Sequence, residues 1–376
     1  MTRIAMLIPT IDQIGGAERQ VILLAKQLSS RGWQVTLIAL SGNGANSTHV
    51  LEASGVHFLS LGMRKAWIDS RGWRRYLNWA SRNKPEIVHA HLPHASWFAR
   101  CVRLFSPARV QLDTIHTSNP GSIARRLLYR LTNQLTDCVT CVSNSVAQTA
   151  IESGLTTMEK STVLYNGVDA WRQNPSTVGA VCNSSNPSST RPFRWIAVGR
   201  LSPVKDYPTL LRAFANLPNH SCLLIVGSGP DHHALRNLVC QLQIEQRVHF
   251  TGFEANVQPL LSTADAFVLS SLWEGLPMGV LEAGAAGLPV VATDGKGTRE
   301  AMVHGETGLI VPVGDHIALA TAMGQVMSMT PSERQKWGIR GRQFVEEHFS
   351  LPVIVDQWER LYSRLLHQHT HPSRHA

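Results

Sequence analysis

The sequence predicts an α/β protein built from two doubly wound domains in tandem, on three observations. Short, continuously apolar runs alternate with amphipathic segments along the chain; the alternation breaks once, in a Ser-, Asn- and Pro-rich stretch at residues 170–192; and it then resumes. Strands that are apolar on both faces and separated by helices belong to parallel sheets covered on both sides. At 376 residues the chain exceeds one compact core and suits two.

The first series places strands at Ile4–Ile8, Val35–Leu40, His57–Leu59, Ile87–His91, Val110–Ile115, Cys138–Val142 and Thr162–Tyr165. Helical patterns such as Gly16–Arg31 and Ile123–Leu135 lie between them. Residues 170–192 can bury little apolar surface and read as an interdomain linker or long loop. The second series runs Trp195–Gly199, Leu223–Val226, Val248–Thr251, Ala266–Leu269 and Val290–Ala292, the last taken as the final strand. Beyond it Leu351, Ile354, Val355, Trp358, Leu361, Tyr362 and Leu365 recur at helical spacing. The His-containing end, His367–Ala376, reads as a frayed polar terminus. The predicted divisions are 1–169, a linker at 170–192, 193–350, a helix at 351–366 and a tail at 367–376.

Composition narrows the class. With 43% hydrophobic and 16% charged residues the chain is globular rather than disordered. No apolar run approaches the ~18 residues of a membrane-spanning helix. Met1–Pro9 carries one positive charge and a short apolar stretch, which reads as a buried first strand rather than a signal peptide and predicts a cytoplasmic protein. The six cysteines are too sparse for a disulfide scaffold. Cys138 and Cys141 form a single CxxC inside an apolar run, which favours packing over zinc or redox chemistry. Residues 1–190 hold 19 Lys+Arg against 10 Asp+Glu, and residues 191–376 hold 16 of each, so the whole net charge of +9 lies on the first half. That asymmetry predicts an acidic partner for the first domain.

Ligands of open α/β sheets bind at the carboxyl ends of the strands, so the loops following strands carry the chemistry. Arg200 and Lys205 lie in Val198-Gly-Arg-Leu-Ser-Pro-Val-Lys205, a two-cation loop suited to a diphosphate. Gly227-Ser-Gly229-Pro230 would let a ligand approach the backbone. It lacks the third glycine and the acidic residue of a nicotinamide site. The most informative stretch is Glu274-Gly-Leu-Pro277-Met278-Gly279-Val280-Leu281-Glu282. Pro277 suits a first helical turn, so the N–H groups of Met278, Gly279 and Val280 are expected to be unpaired and ready for a phosphate, with Glu274 and Glu282 bracketing the anion site. Thr293–Glu300 is a fourth polar, Gly-rich loop. In the first domain Gly15 and Gly16 open a helix after the first strand, and His116 ends a strand. His89 and His91 share one strand face, with no nearby acid or thiol to complete a metal site.

In order and spacing these features resemble glycosyltransferase family 4, the retaining enzymes of the GT-B fold. The resemblance spans nearly the whole chain and rests on Glu274-x7-Glu282, Arg200 with Lys205, Val226–Pro230, Asn166-Gly-Val-Asp169, Gly15-Gly16 and His116. It implies two Rossmann-like domains facing across a cleft, with a final helix crossing back to the first domain. It also implies that Arg200 and Lys205 contact the donor diphosphate, that Glu282 binds ribose hydroxyls, and that Glu274 binds hydroxyls of the transferred sugar. By the same resemblance, Gly15 and Gly16 approach the diphosphate and sugar from the other domain, and His116 lines the acceptor side. The donor is then a nucleotide-sugar, by default a UDP-sugar with GDP-mannose as rival, and the acceptor a glycan or lipid-linked glycan. The chain contains no Asp-x-Asp, so no metal or other cofactor is expected.

Other readings are a sugar-nucleotide epimerase of the same fold and a non-catalytic sugar-nucleotide-binding partner. Nothing in the basic half matches a nucleic-acid motif. Instead Arg64, Lys65, Trp67, Arg71, Trp73, Arg74, Arg75 and Trp79 interleave cations with aromatics, and Arg125, Arg126 and Arg130 accompany Leu127, Leu128 and Leu131. Both segments resemble interfacial patches, which predicts peripheral attachment to the anionic inner face of the cell membrane; the equal alternative is an ordinary basic surface with core tryptophans.

Overall fold

The computed structural model describes residues 1–12, 15–42, 44, 51–64, 69–169 and 191–370, with side chains to residue 368. Most of the expected linker (170–190), Lys65, Trp67 and the tail 371–376 lie outside the described residues. The chain forms two compact units, Met1–Gly167 with Pro352–Ala376, and Val168–Leu351.

The first unit is a seven-stranded parallel sheet of β1 (Arg3–Ile8), β2 (Gln34–Ala39), β3 (His57–Ser60), β4 (Ile87–His91), β5 (Val110–Ile115), β6 (Cys138–Cys141) and β7 (Ser161–Val163). Their order is β3-β2-β1-β4-β5-β6-β7. The chain winds outward from β1 to β3, then returns to the other side of β1 for β4, so the direction of winding switches between β1 and β4. Residues 4–8, the whole of β4 and the whole of β5 are buried, as in strands covered on both faces, although β4 carries His89 and His91 and β5 carries Gln111, Asp113 and Thr114. Cys138 and Cys141 are buried in β6 as free thiols.

The second unit repeats the plan with β8 (Phe193–Val198), β9 (Ser221–Val226), β10 (Val248–Gly252), β11 (Ala266–Leu269), β12 (Val290–Thr293) and β13 (Gly308–Val311), ordered β10-β9-β8-β11-β12-β13. Here the switch lies between β8 and β11. Two Rossmann-like domains are therefore present. Strand β13 was not anticipated: its four-residue run Gly-Leu-Ile-Val pairs in parallel with β12 and extends the sheet beyond Val290–Ala292. One face of this sheet is filled by Trp195, Leu210, Phe214, Leu223, Ile225, Met323 and Val326, all buried.

The final helix, Leu351–Thr370, belongs from Pro352 onward to the first unit and runs four residues past its expected end at 366. All seven of its periodic apolar residues are buried. It is fixed there by polar bonds as well. Arg31 pairs with Asp356 and, at 2.7 Å, with Glu359, and the Trp33 indole donates to Glu359 at 2.7 Å.

Packing decides between the two readings of the first basic segment. Trp73 stacks edge-on against Phe98 at 5.5 Å and Trp79 lies 6.0 Å from Tyr76, both against the core of the first unit. The helix Ser70–Asn83 buries Tyr76 and Ala80 on the same side. Its tryptophans therefore serve the core, and the interleaved cations are the solvated side of an ordinary amphipathic helix.

Candidate active site

The order of the second sheet decides which loops meet. Because β8 and β11 are neighbours at the switch, the loop after β8 (Arg200, Lys205) and the loop after β11 (Ser270–Pro277) leave the sheet side by side. They are stitched together: the Leu272 N–H donates to the Val204 carbonyl at 2.8 Å, and Ser270 Oγ to the Lys205 carbonyl at 2.7 Å. Lys205 closes the short 3-10 turn Pro203–Lys205, and Asp206, in the left-handed region (φ 44°), swings the chain into the helix Tyr207–Ala215. The Tyr207 hydroxyl then donates to the Gly199 carbonyl at 3.1 Å and holds the loop shut.

The result is a partly exposed ion pair at the carboxyl end of the sheet. Lys205 Nζ lies 2.6 Å from Glu274 Oε1, and Ser271 Oγ donates to the same oxygen at 2.6 Å. Sequence reasoning missed Ser271 and Tyr207 as supports; the signal for Ser271 was its place three residues before Glu274. The Glu274 N–H donates to the Lys296 carbonyl at 3.0 Å, which brings the fourth Gly-rich loop against the first two. Gly297 turns that loop at φ +87°, where a β-carbon would also run into the Gly275 carbonyl. On the loop after β9, Gly229 is packed so close that a β-carbon would strike the Leu201 carbonyl.

The helix after β11 begins at Met278, with Pro277 as its N-cap rather than its first residue and no side-chain cap. The Val280 N–H donates to the Pro277 carbonyl at 3.0 Å, and Leu281 to the same carbonyl at 3.3 Å. The expected set of three free donors is thus reduced to Met278 and Gly279, because the tight first turn satisfies Val280 internally. Pro277, Val280 and Leu281 are buried, Met278 and Gly279 half-buried. Glu282 sits half-buried one turn into the helix, and Arg200 is exposed at the start of its loop. The four loops chosen from sequence thus share one edge of one sheet.

In the first unit the switch between β1 and β4 places Gly15 and Gly16 beyond β1 and His91 at the end of β4. Gly16 opens the helix Gly16–Ser30, both glycines are exposed, and the Glu18 carboxylate accepts the Gly15 N–H at 3.0 Å. That carboxylate already answers the positive end of the helix and repels a second anion. It makes the turn better suited to a hydroxyl than to a diphosphate.

His116 follows β5 and pairs with His91: Nε2 of one lies 3.2 Å from Nδ1 of the other. His89, stacked 3.9 Å from His91, bonds Tyr362 at 2.8 Å and Thr114 at 2.6 Å. Burial pushes all three imidazoles down, His116 to about 4 and His89 and His91 well below 6.5, so the cluster is neutral near pH 7. Neutrality has a consequence. The single His91–His116 bond uses one N–H and one lone pair, so of the two remaining buried atoms, His91 Nε2 and His116 Nδ1, one is a donor and the other an acceptor. Among the described residues no group of His, Cys, Asp or Glu is arranged to hold a metal ion, and the three histidines are held by hydroxyls and by each other.

Comparison with known proteins places this arrangement. A family model described as Glycosyl transferases group 1 matches residues 183–344, and one described as Glycosyltransferase Family 4 matches residues 14–172. The lipopolysaccharide core biosynthesis glycosyltransferase LpsE of Rhizobium meliloti is 28% identical over 352 residues, covering 92% of this chain and 95% of that protein. The N-acetyl-alpha-D-glucosaminyl L-malate synthase of Bacillus anthracis is 29% identical over 295 residues, covering 76% and 77%. Among solved structures, HepE of Anabaena in complex with UDP and glucose superposes with a TM-score of 0.84 at 20% identity, over 97% of this chain and 100% of that one. Two parallel-sheet domains with this topology define a glycosyltransferase of the GT-B type. The chain belongs to glycosyltransferase family 4.

Proposed function

We propose that the chain transfers a sugar, with retention, from a nucleotide-sugar to a glycan or lipid-linked acceptor in cell-surface polysaccharide or glycolipid synthesis, and does so without a metal. The observation that carries this reading is the Lys205–Glu274 pair, set beside an uncapped helix start at the switch point of the second sheet. A donor's diphosphate and sugar are joined at one bond. A cation and a carboxylate held 2.6 Å apart can address the two sides of that bond together, Lys205 the phosphate oxygen and Glu274 the sugar hydroxyls.

The chemistry follows from charge. As the anomeric C–O bond breaks, its electron pair passes to the diphosphate oxygen, where Arg200, Lys205 and the N–H groups of Met278 and Gly279 meet the growing charge. The acceptor hydroxyl attacks on the same face and gives its proton to the departing phosphate oxygen, so no protein nucleophile is consumed. Glu282 takes the ribose hydroxyls. Gly15, Gly16 and His116 serve the sugar and acceptor through hydroxyl contacts. A UDP-sugar is the preferred donor, in keeping with the UDP bound to the Anabaena protein, and GDP-mannose is the rival.

A thermal-shift screen of nucleoside diphosphates and their sugars tests the donor. UDP and a UDP-sugar should raise Tm, Glu282→Ala should abolish the rise, and Glu274→Ala should erase the discrimination between sugars. Turnover should persist in EDTA. Strict dependence on a divalent ion would sink the charge argument, and a labelled donor converted to a free sugar-nucleotide epimer without acceptor would replace transfer by epimerisation.

A further inference from the structure

The helix Ile123–Thr132 is oriented opposite to a core helix. Its sequence, Ile-Ala-Arg-Arg-Leu-Leu-Tyr-Arg-Leu-Thr, sets Ile123, Leu127 and Leu131 at i, i+4 and i+8, a single stripe along one side. In a globular protein such a stripe faces the core. Here it faces solvent, with Ile123 75%, Leu127 55% and Leu131 73% exposed.

The helix turns Tyr129 inward instead. Its ring lies under the Arg100 guanidinium at 4.5 Å, and its carbonyl accepts Arg100 Nη1 at 3.1 Å. The same Arg100 lies on the helix Pro93–Arg103, which runs out into Leu104 and Phe105, themselves 66% and 68% exposed. Folding thus leaves several large apolar side chains in water.

Charge identifies the occupant. The ten residues Ile123–Thr132 contain Arg125, Arg126 and Arg130 and no acid. Arg126 and Arg130 each immediately precede a leucine of the stripe. The half of the chain that bears this helix carries the entire net charge of +9. A surface that offers an apolar layer and negative charge together, without the shape of a particular groove, is an anionic lipid bilayer.

We propose that the helix Ile123–Thr132 lies in the interface of an anionic membrane, with Ile123, Leu127 and Leu131 among the acyl chains and Arg126 and Arg130 at the headgroup phosphates. This moves the membrane contact away from the helix Ser70–Asn83, whose tryptophans are committed to the core. It also stands apart from the transferase reading, because binding is measured with neither donor nor acceptor present.

The test is flotation of the full chain with phosphatidylcholine vesicles, with and without phosphatidylglycerol. The chain should float only with the anionic vesicles. Leu127→Asp with Leu131→Asp should weaken binding about 100-fold, and Arg126→Gln with Arg130→Gln roughly 10- to 30-fold. As a measurement that leaves the stripe nearly intact, a polarity-sensitive dye on Leu127→Cys should shift to the blue on anionic vesicles and not on neutral ones. Absence of flotation, equal flotation with both vesicles, or an unshifted dye overturns the proposal. So does a wild-type dimer that becomes monomeric in the double aspartate variant, which would give the stripe to a second copy of the chain.

Discussion

Two close ion pairs, one taken from each unit, have nearly the same length and very different surroundings. In the first unit Arg100 Nε lies 2.7 Å from Asp113, both side chains fully buried. In the second, Lys205 lies 2.6 Å from Glu274 with both side chains partly open to solvent. The buried pair is enclosed by its own unit: Arg100 also donates to the Tyr129 carbonyl and the Thr132 hydroxyl. Burial raises the Asp113 carboxyl and the adjacent guanidinium opposes that rise. The open pair stands at the carboxyl end of a sheet, where a ligand can compete for both partners. Bond length does not separate the two pairs; placement relative to the strand ends and access to solvent do.

Substitutions should separate the pairs. The largest stability effect should come from Arg100→Met, which strands a buried carboxylate and should cost about 3–5 kcal/mol in urea unfolding. Adding Asp113→Leu should restore most of it, and failure of that rescue would show that the pair does more than satisfy itself. Lys205→Ala should move stability by less than about 1 kcal/mol while lowering kcat about 100- to 1,000-fold. A comparable loss of Tm would make this pair structural too.

The histidine cluster sharpens the contrast from the side of pH. An imidazole held at about 4 in the folded unit, against 6.5 when free, stays neutral while its unfolded counterpart takes up a proton. Stability is therefore full above about pH 6.5 and falls as the pH drops toward 4, by roughly 3 kcal/mol for His116 alone. Urea unfolding at pH 7, 6 and 5 should show that slope in the first unit, and His116→Asn should reduce it.

The sheets were legible because most strands covered on both faces are apolar at nearly every position. The last helix was legible because one side of it is apolar at helical spacing. Strand β13 escaped as a four-residue run between turn residues, too short to stand out from its neighbours. The site was legible only loop by loop. Lys205 and Glu274 are far apart in sequence, and their meeting depends on β8 lying beside β11, an order that spacing along the chain does not encode. Orientation was also hidden: of the two segments that look interfacial in sequence, packing turns Trp73 and Trp79 of one inward and leaves Leu127 and Leu131 of the other facing solvent. Asp113 inside an apolar strand was a signal of another kind, since a buried carboxylate demands a partner.

The discontinuity of the first unit bears on how the chain is made. On the ribosome this unit has all of its strands early but lacks the helix Leu351–Thr370, which covers His89 through Trp358 and Tyr362. Val168–Leu351 must be translated in the meantime, an interval of roughly 10–40 s at ordinary rates. The emerging first unit spends that time with His89 uncovered by Trp358 and Tyr362.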